Sequence, residues 1–401
     1  MTLRIADRLN RIKPSPSSMA GQLARKLQAE GRDIVSMTTG EPDFATPAHI
    51  CEAASRAMAE AKTKYTDTGG TPELKAAIQG KFRRENGLEY APAEIIACTG
   101  AKQVVYNALS CTVQAGDEVI VPAPYWVSYP DIVKLAGGEP VFVDCPAEKG
   151  FKLQPEDLER AITPRTRWLV LNAPNNPSGA FYDRDELKRL TDVLLRHPQV
   201  WVLTDDIYEH LLYDGRRFAT PAQVEPQLKA RTLTVNGVSK AYSMTGWRIG
   251  FAGGPKELVQ AMAKLQSQST SNPSSIGQAA AVEALNGPQG IVAERTAILQ
   301  QRRDRIVGQV NAIPGLSCHS PEGAFYVFAS CAGVIGRTTP QGRRIDTDSD
   351  FVMYLLEAQN LAVLQGEAYG VSPYFRMSFA DSTDVLDEGC RRLRLACDAL
   401  T

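Results

Sequence analysis

The chain has 401 residues, room for two or three compact units, and its 43% apolar and 22% charged residues fit a folded globular protein rather than a disordered one. Forty-four Lys and Arg against 45 Asp and Glu leave a net charge of −1, so no field gathers polyanions and nucleic acid is not an expected partner. No run nears the roughly 20 apolar residues of a membrane span, and residues 1–8 lack the apolar core of a secretory signal, so a cytoplasmic address and no membrane partner are expected.

Along the chain, the segment through Pro42 is too short to fold alone and is expected to pack on the C-terminal part. Strand-like runs follow at 94–98, 118–121, 141–143, 168–171, 201–203 and 232–235, with helical periodicity between them at 102–113, 128–136 and 185–196. Such alternation predicts a mainly parallel sheet flanked by helices. After Gly253-Gly254-Pro255 a long helix is expected over 290–312 and separated strands at 324–328 and 375–379, an α+β pattern. The expected fold is therefore α/β, with a large domain over 46–299 and a smaller discontinuous α+β domain from 1–45 and 300–401. Eight Cys without a C-x-x-C pair and four His without H-E-x-x-H give no metal-binding pattern, and no metal is expected.

Ligands of open parallel sheets bind at the carboxyl ends of the strands. Four such ends carry polar chemistry. Thr99-Gly100-Ala101-Lys102 turns into a helix and offers backbone N–H groups to an anion. Asn172 to Gly179 is a turn with two Pro and adjacent amides, Asp205-Asp206-Ile207-Tyr208 ends another strand, and Ser239-Lys240 precedes Gly246-Trp247-Arg248-Ile249-Gly250. Taken singly, each reads as an ordinary turn, cap or solvated charge. Converging on one crevice, they suit a phosphorylated pyridine aldehyde: a carboxylate (Asp205) for the ring nitrogen, neutral donors (Asn176, Tyr208) for the phenolate oxygen, a nest (Gly100) with Ser239 and Arg248 for the phosphate, and an amine (Lys240) to condense with the aldehyde.

From Lys13-Pro14-Ser15 and Gly40-Glu41-Pro42-Asp43-Phe44 to Phe375-Arg376-Met377-Ser378, the sequence resembles the fold-type I pyridoxal 5'-phosphate enzymes. Within them it is similar to the class I aminotransferases of the bacterial aspartate and aspartate/prephenate branch. The resemblance implies that Lys240 carries the cofactor covalently and serves as the catalytic acid and base. It further implies that Asp205 pairs with the ring nitrogen, Asn176 and Tyr208 hold the phenolate oxygen, and Trp126 stacks on the ring. Gly100, Ala101, Lys102, Ser239 and Arg248 are then cofactor-binding residues around the phosphate, joined by Tyr65 from a neighbouring subunit, so a homodimer with shared active sites is implied. Arg376 and the Gly40 N–H would take the substrate α-carboxylate, with Trp126 and Asn176 beside it. Lys102 would meet the distal carboxylate, and Lys13 matches a lysine associated with prephenate. Glu367 stands where relatives carry Ser or Thr; facing the site, it would repel a dicarboxylate or pair with a cation.

The implied reaction is ping-pong transfer of the amino group from L-aspartate to 2-oxoglutarate, giving oxaloacetate and L-glutamate, with aromatic amino acids or prephenate as the alternative substrates. Two other classes fare worse. A transcription regulator built on this fold needs a DNA-binding unit that about 40 residues before Gly40 do not supply, and a nicotinamide dehydrogenase needs a G-x-G-x-x-G turn after a strand, which is absent.

Overall fold

Runs that are apolar on consecutive residues are soluble only when both faces of the strand are covered, and a parallel sheet between helical layers provides that cover. The computed structural model describes residues 4–14 and 16–401; residues 1–3 and Ser15 of the Lys13-Pro14-Ser15 motif lie outside the described residues. In chain order its strands are β1 (Val35–Ser36), β2 (Ile95–Cys98), β3 (Glu118–Ala123), β4 (Glu139–Asp144), β5 (Thr166–Asn172), β6 (Trp201–Asp205) and β7 (Thr232–Gly237). After them come β8 (Gly250–Gly253), β9 (Ser317–Cys318), β10 (Tyr326–Ser330), β11 (Leu361–Ala362), β12 (Leu364–Gln365) and β13 (Tyr374–Ser378).

Seven of them form the central sheet, ordered β2-β8-β7-β6-β5-β3-β4. The ladders from β7 through β6, β5 and β3 to β4 are parallel, and β8 runs antiparallel to both β2 and β7. Every residue of β2 and β7 is buried. Register levels the functional ends, since Asn172 lies opposite Asp205 and Asp205 opposite Val235.

The helices expected at 102–113, 128–136, 185–196 and 290–312 form as Ala101–Thr112, Tyr129–Leu135, Arg184–Arg196 and Gly290–Asn311, and Pro72–Asn86 is among those not expected. Arg184–Arg196 starts in a reciprocal cap, with the Glu186 N–H donating to Asp183 and the Asp183 N–H donating to Glu186, both at 2.8 Å. It buries Leu187, Leu190 and Leu194 against the sheet, at about 1.5–3 kcal/mol for each side chain. Pro72–Asn86 begins at an N-capping Thr71 and stops at Gly87, which takes the left-handed conformation that a Cβ disfavours. Ala101–Thr112 starts directly after Gly100.

β8 is not among the strands expected from the sequence. It is a strand whose glycines clear its neighbours: a Cβ on Gly250 would overlap the Ala101 N, and one on Gly253 would overlap the Tyr90 ring.

The C-terminal part builds an antiparallel sheet, β12-β13-β10-β9, against Gly290–Asn311 and Asp348–Gln359, and Thr383–Asp398 packs on these two helices and beside β1 and β11. Its core includes Ile306, Phe351, Leu355, Phe375 and Leu393, and Met37 joins it from the N-terminal segment. β1 pairs in parallel with β11, and the Arg392 guanidinium bonds the Asp33 carbonyl at 2.5 Å. The N-terminal segment thus packs on the C-terminal part. In β13, Arg376 stands between Phe328 of β10 and Leu364 of β12, and its guanidinium reaches Asn176 in the loop after β5.

Candidate active site

At the carboxyl edge of the large sheet lies a crevice of about 500 Å³, bounded by the strand ends, the turn around Gly40 and the helix Pro16–Ala29. Lys240, three residues beyond β7, points into it half-buried, and its Nζ donates to the Gly40 carbonyl at 2.5 Å. Burial pushes the Lys240 ammonium down to about 8; Arg376 and Arg248 add to the fall, while Glu41 and Asp205 oppose it. At that value a substantial neutral fraction exists near physiological pH, which a nucleophilic amine requires.

Asp205, the last residue of β6, is buried and lines the same crevice. The Tyr129 hydroxyl donates to its Oδ2 at 2.7 Å, and the Ile207 N–H approaches Oδ1 at 3.4 Å. Burial raises its pKa, with the Tyr129 hydrogen bond and the Lys240 charge working against that rise. The side chain is thus held in one orientation and responsive to a cation. Asn172, one strand over, donates to the Asp205 carbonyl at 2.9 Å and accepts from the Asn176 N–H at 2.8 Å. This fixes the Asn-Pro loop on which Asn176 is carried.

Arg376 is buried over the Tyr326 ring, with 4.2 Å from Cζ to the centroid. It donates to the Asn176 Oδ1 at 2.9 Å and to the Thr38 carbonyl at 2.7 Å, and its Nε has no partner. The Arg376 guanidinium lines the crevice and gives its wall a fixed, planar positive charge. The hydroxyls of Tyr208 and Tyr326 share a hydrogen bond of 2.9 Å, and burial drives the Tyr208 pKa well above its usual value, so it remains a neutral donor.

The fourth wall is cationic. Gly100, at φ +85°, brings the start of Ala101–Thr112 against the Arg248 guanidinium, where a Cβ on Gly100 would stand. Arg248, itself left-handed at φ 56°, is held by a 2.9 Å bond to the Thr245 carbonyl. Ser239 and Ala101 line the same corner. First-turn N–H groups of a helix lack intrahelical acceptors, so this corner suits a phosphate. Lys102 sits 4.8 Å from the centroid of the half-buried Trp126, and its pKa is lowered by burial and then by Arg248. An amine, a buried carboxylate, neutral donors and a cationic nest thus meet in one crevice, and the donor set fits pyridoxal phosphate.

Of the residues singled out from sequence, Gly40, Ala101, Lys102, Trp126, Asn176, Asp205, Tyr208, Ser239, Lys240, Arg248 and Arg376 line the crevice, with Gly100 directly behind Arg248. Lys13 is exposed and lies in an adjoining pocket shared with Lys102 and Asp131. Tyr65 is 91% exposed, in a separate pocket with Arg56 and Lys62. Glu367 does not face the crevice; it is exposed and accepts a hydrogen bond from Ser349 at 3.1 Å.

Sequence reading missed Tyr129 and Tyr326, which orient Asp205 and Tyr208, and gave Asn172, the first residue of its Asn-Pro turn, no role of its own, although it fixes Asn176. It also missed Ser18, Arg25 and Gln28 of Pro16–Ala29, which form a wall. Asn172, as the last residue of a strand, was the one with a positional signal.

Fold and crevice together define an α/β protein with a half-buried lysine amine, a buried carboxylate and a cationic corner at the carboxyl edge of its sheet. Residues 32–393 match the family model for aminotransferase class I and II. The chain is 57% identical over 396 residues to an aspartate aminotransferase of Rhizobium meliloti (strain 1021), covering 99% of this chain and 97% of that protein. It is 55% identical to an aspartate/prephenate aminotransferase of Cereibacter sphaeroides, covering 99% of each. A crystal structure of the aspartate aminotransferase from Rhizobium meliloti superposes with a TM-score of 0.97 at 56% identity over the full length of both chains. The chain belongs to the class I and II aminotransferases, and it is a transaminase.

Proposed function

We propose that this transaminase moves the amino group of L-aspartate to 2-oxoglutarate, giving oxaloacetate and L-glutamate in a ping-pong cycle, with pyridoxal 5'-phosphate as its cofactor. The observation that carries this reading is the Lys240 amine, depressed to about 8, in one crevice with the buried Asp205 carboxylate and the Arg376 guanidinium. When bound, the cofactor supplies an electron-withdrawing ring that stabilises negative charge at the substrate Cα. Asp205, braced by Tyr129, would keep the ring nitrogen protonated; Asn176 and Tyr208 would donate to the phenolate oxygen, and Trp126 would cover the ring. Ala101, Ser239 and Arg248 would hold the phosphate, with Gly100 allowing the approach and Lys102 at the rim.

Arg376 would fix the substrate α-carboxylate by its planar fork, assisted by the Gly40 N–H, so that the Cα–H bond is the one presented to Lys240 Nζ. Lys240 would take that proton and deliver it to the aldehyde-derived C4′ carbon of the cofactor, across the nitrogen from Cα. Lys102 would receive the distal carboxylate, and the outward direction of Glu367 leaves a dicarboxylate unopposed there.

We further propose two bodies, residues 46–299 and residues 1–45 with 300–401, working as a cytoplasmic homodimer in which Tyr65 completes the partner's phosphate site. The high exposure of Tyr65, remote from its own crevice, supports that exchange. Prephenate is the second reading, favoured by Lys13 beside Lys102 in the adjoining pocket. Rates with aspartate, phenylalanine and prephenate compared on one preparation test the choice; faster turnover of aromatic or prephenate substrates than of aspartate rejects it.

A further inference from the structure

Behind the site lies a second cluster of charge, fully inside the protein. Lys81 and Asn86 of Pro72–Asn86 meet Glu209, and all three are buried. Glu209 pairs with the Lys81 ammonium, and its two oxygens also accept from Asn86 Nδ2 and Asn236 Nδ2, each at 2.8 Å. Lys81 donates in addition to the Asn86 Oδ1 at 2.7 Å. The Asn236 Oδ1 accepts from the Gly237 N–H at 2.7 Å. Burial alone would raise the Glu209 pKa, but Lys81, followed by His210 and Asn86, outweighs it and keeps the carboxylate charged.

Glu85, Glu209 and His210 bring ligand atoms within 4.8 Å of one another, as a metal site would. Lys81 Nζ already lies beside Glu209 and 3.6 Å from Glu85, so the cation of this cluster is the ammonium.

Buried ion pairs seldom add net stability over apolar residues of equal volume; their use is to fix one arrangement against others. What this one fixes is legible from the chain. Glu209 follows Tyr208 directly, and Asn236-Gly237 leads through Val238 into Ser239-Lys240. Between them, the Asp206 N–H donates to the Val235 carbonyl at 2.9 Å. Glu209 therefore ties the turn carrying Asp205 and Tyr208 to the turn carrying Ser239 and Lys240, and Lys81 anchors both to a helix outside the site.

We propose that Glu209, held by Lys81 and linked to β7 by Asn236, is a positioning residue that sets Tyr208 and Asp205 against Lys240. The inference rests on the reading that Lys240 carries the cofactor. It is tested with Asn236→Ala, which cuts the link to the Lys240 turn and leaves the Lys81–Glu209–Asn86 contacts in place, and with Glu209→Gln, which puts an amide donor among donors. The readouts are the pH midpoint of the visible absorption band of the cofactor-loaded protein, the dissociation constant for pyridoxal phosphate and the melting temperature. A Leu194→Ala variant, in the core between Arg184–Arg196 and the sheet, serves as the control for general destabilisation.

The proposal expects Asn236→Ala to move the midpoint by at least about half a pH unit and weaken cofactor binding roughly tenfold, while the control moves the melting temperature alone. A folded Asn236→Ala protein with the midpoint and affinity of the parent overturns it, whatever Glu209→Gln does. Failure of both variants to fold assigns the cluster to stability and also overturns it. A parent protein with no pH-dependent band would instead remove the proposed role of Lys240, a distinguishable failure.

Discussion

Replacing Lys240 by Met in the cofactor-free protein makes the burial of its amine visible as stability. The ordinary lysine value of 10.5 falls to about 8 in the fold, chiefly through burial. At roughly 1.4 kcal/mol per pKa unit, holding the ammonium in place costs the folded state about 3 kcal/mol. Well below pH 8 both the folded and unfolded chains are protonated and that cost is complete. Between pH 8 and 10.5 the unfolded chain keeps a proton that the folded one has released, so stability rises with pH; above 10.5 the cost is gone.

The Met variant carries no such cost, although it forfeits the bond to the Gly40 carbonyl, worth about 1 kcal/mol. The apoprotein with Lys240→Met should therefore be the more stable by about 2 kcal/mol at pH 7, and the gap should close and reverse as pH approaches 10.5. Urea denaturation midpoints of both proteins across that range give the comparison. Parallel curves would refute the reasoning, because they would mean that the amine titrates alike in the folded and unfolded chains.

Arg376→Lys keeps the charge and loses the fork; kcat/KM for amino acid and 2-oxo acid should fall roughly 100-fold, mostly through KM, as steady-state kinetics would show. Gly100→Ala places a methyl against the Arg248 guanidinium at a positive φ, and should lower stability by about 1–3 kcal/mol and weaken cofactor binding, measured by thermal denaturation and by titration. Glu367→Ser should leave aspartate kinetics within about twofold, since an exposed carboxylate outside the crevice exerts a screened field there; a larger gain for aspartate would show that Glu367 does act on the site.

The parallel sheet was legible because its strands are continuous apolar runs that no amphipathic helix imitates. The four strand-end motifs were legible because a topological rule says where to look. β8 was not, since its glycines answer to the Ala101 backbone and the Tyr90 ring, contacts distant in sequence. Tyr129 and Tyr326 escaped for a related reason: an aromatic in an apolar stretch reads as core until the partner of its hydroxyl is known, and those partners, Asp205 and Tyr208, come from β6 and the turn after it. Lys81 gave no signal either, a charged residue on a helix that reads as solvated and is instead among the most buried in the protein. For Tyr65 and Lys13 the resemblance supplied a role that one subunit's crevice does not contain, and the proposed dimer is what would bring Tyr65 to a site.

Mixing the protein with pyridoxal phosphate, reducing with borohydride and identifying the modified peptide by mass spectrometry tests the central claim most directly. The account predicts a single reduced adduct on Lys240; modification of another lysine such as Lys102 in its place, or no adduct at all, would contradict it.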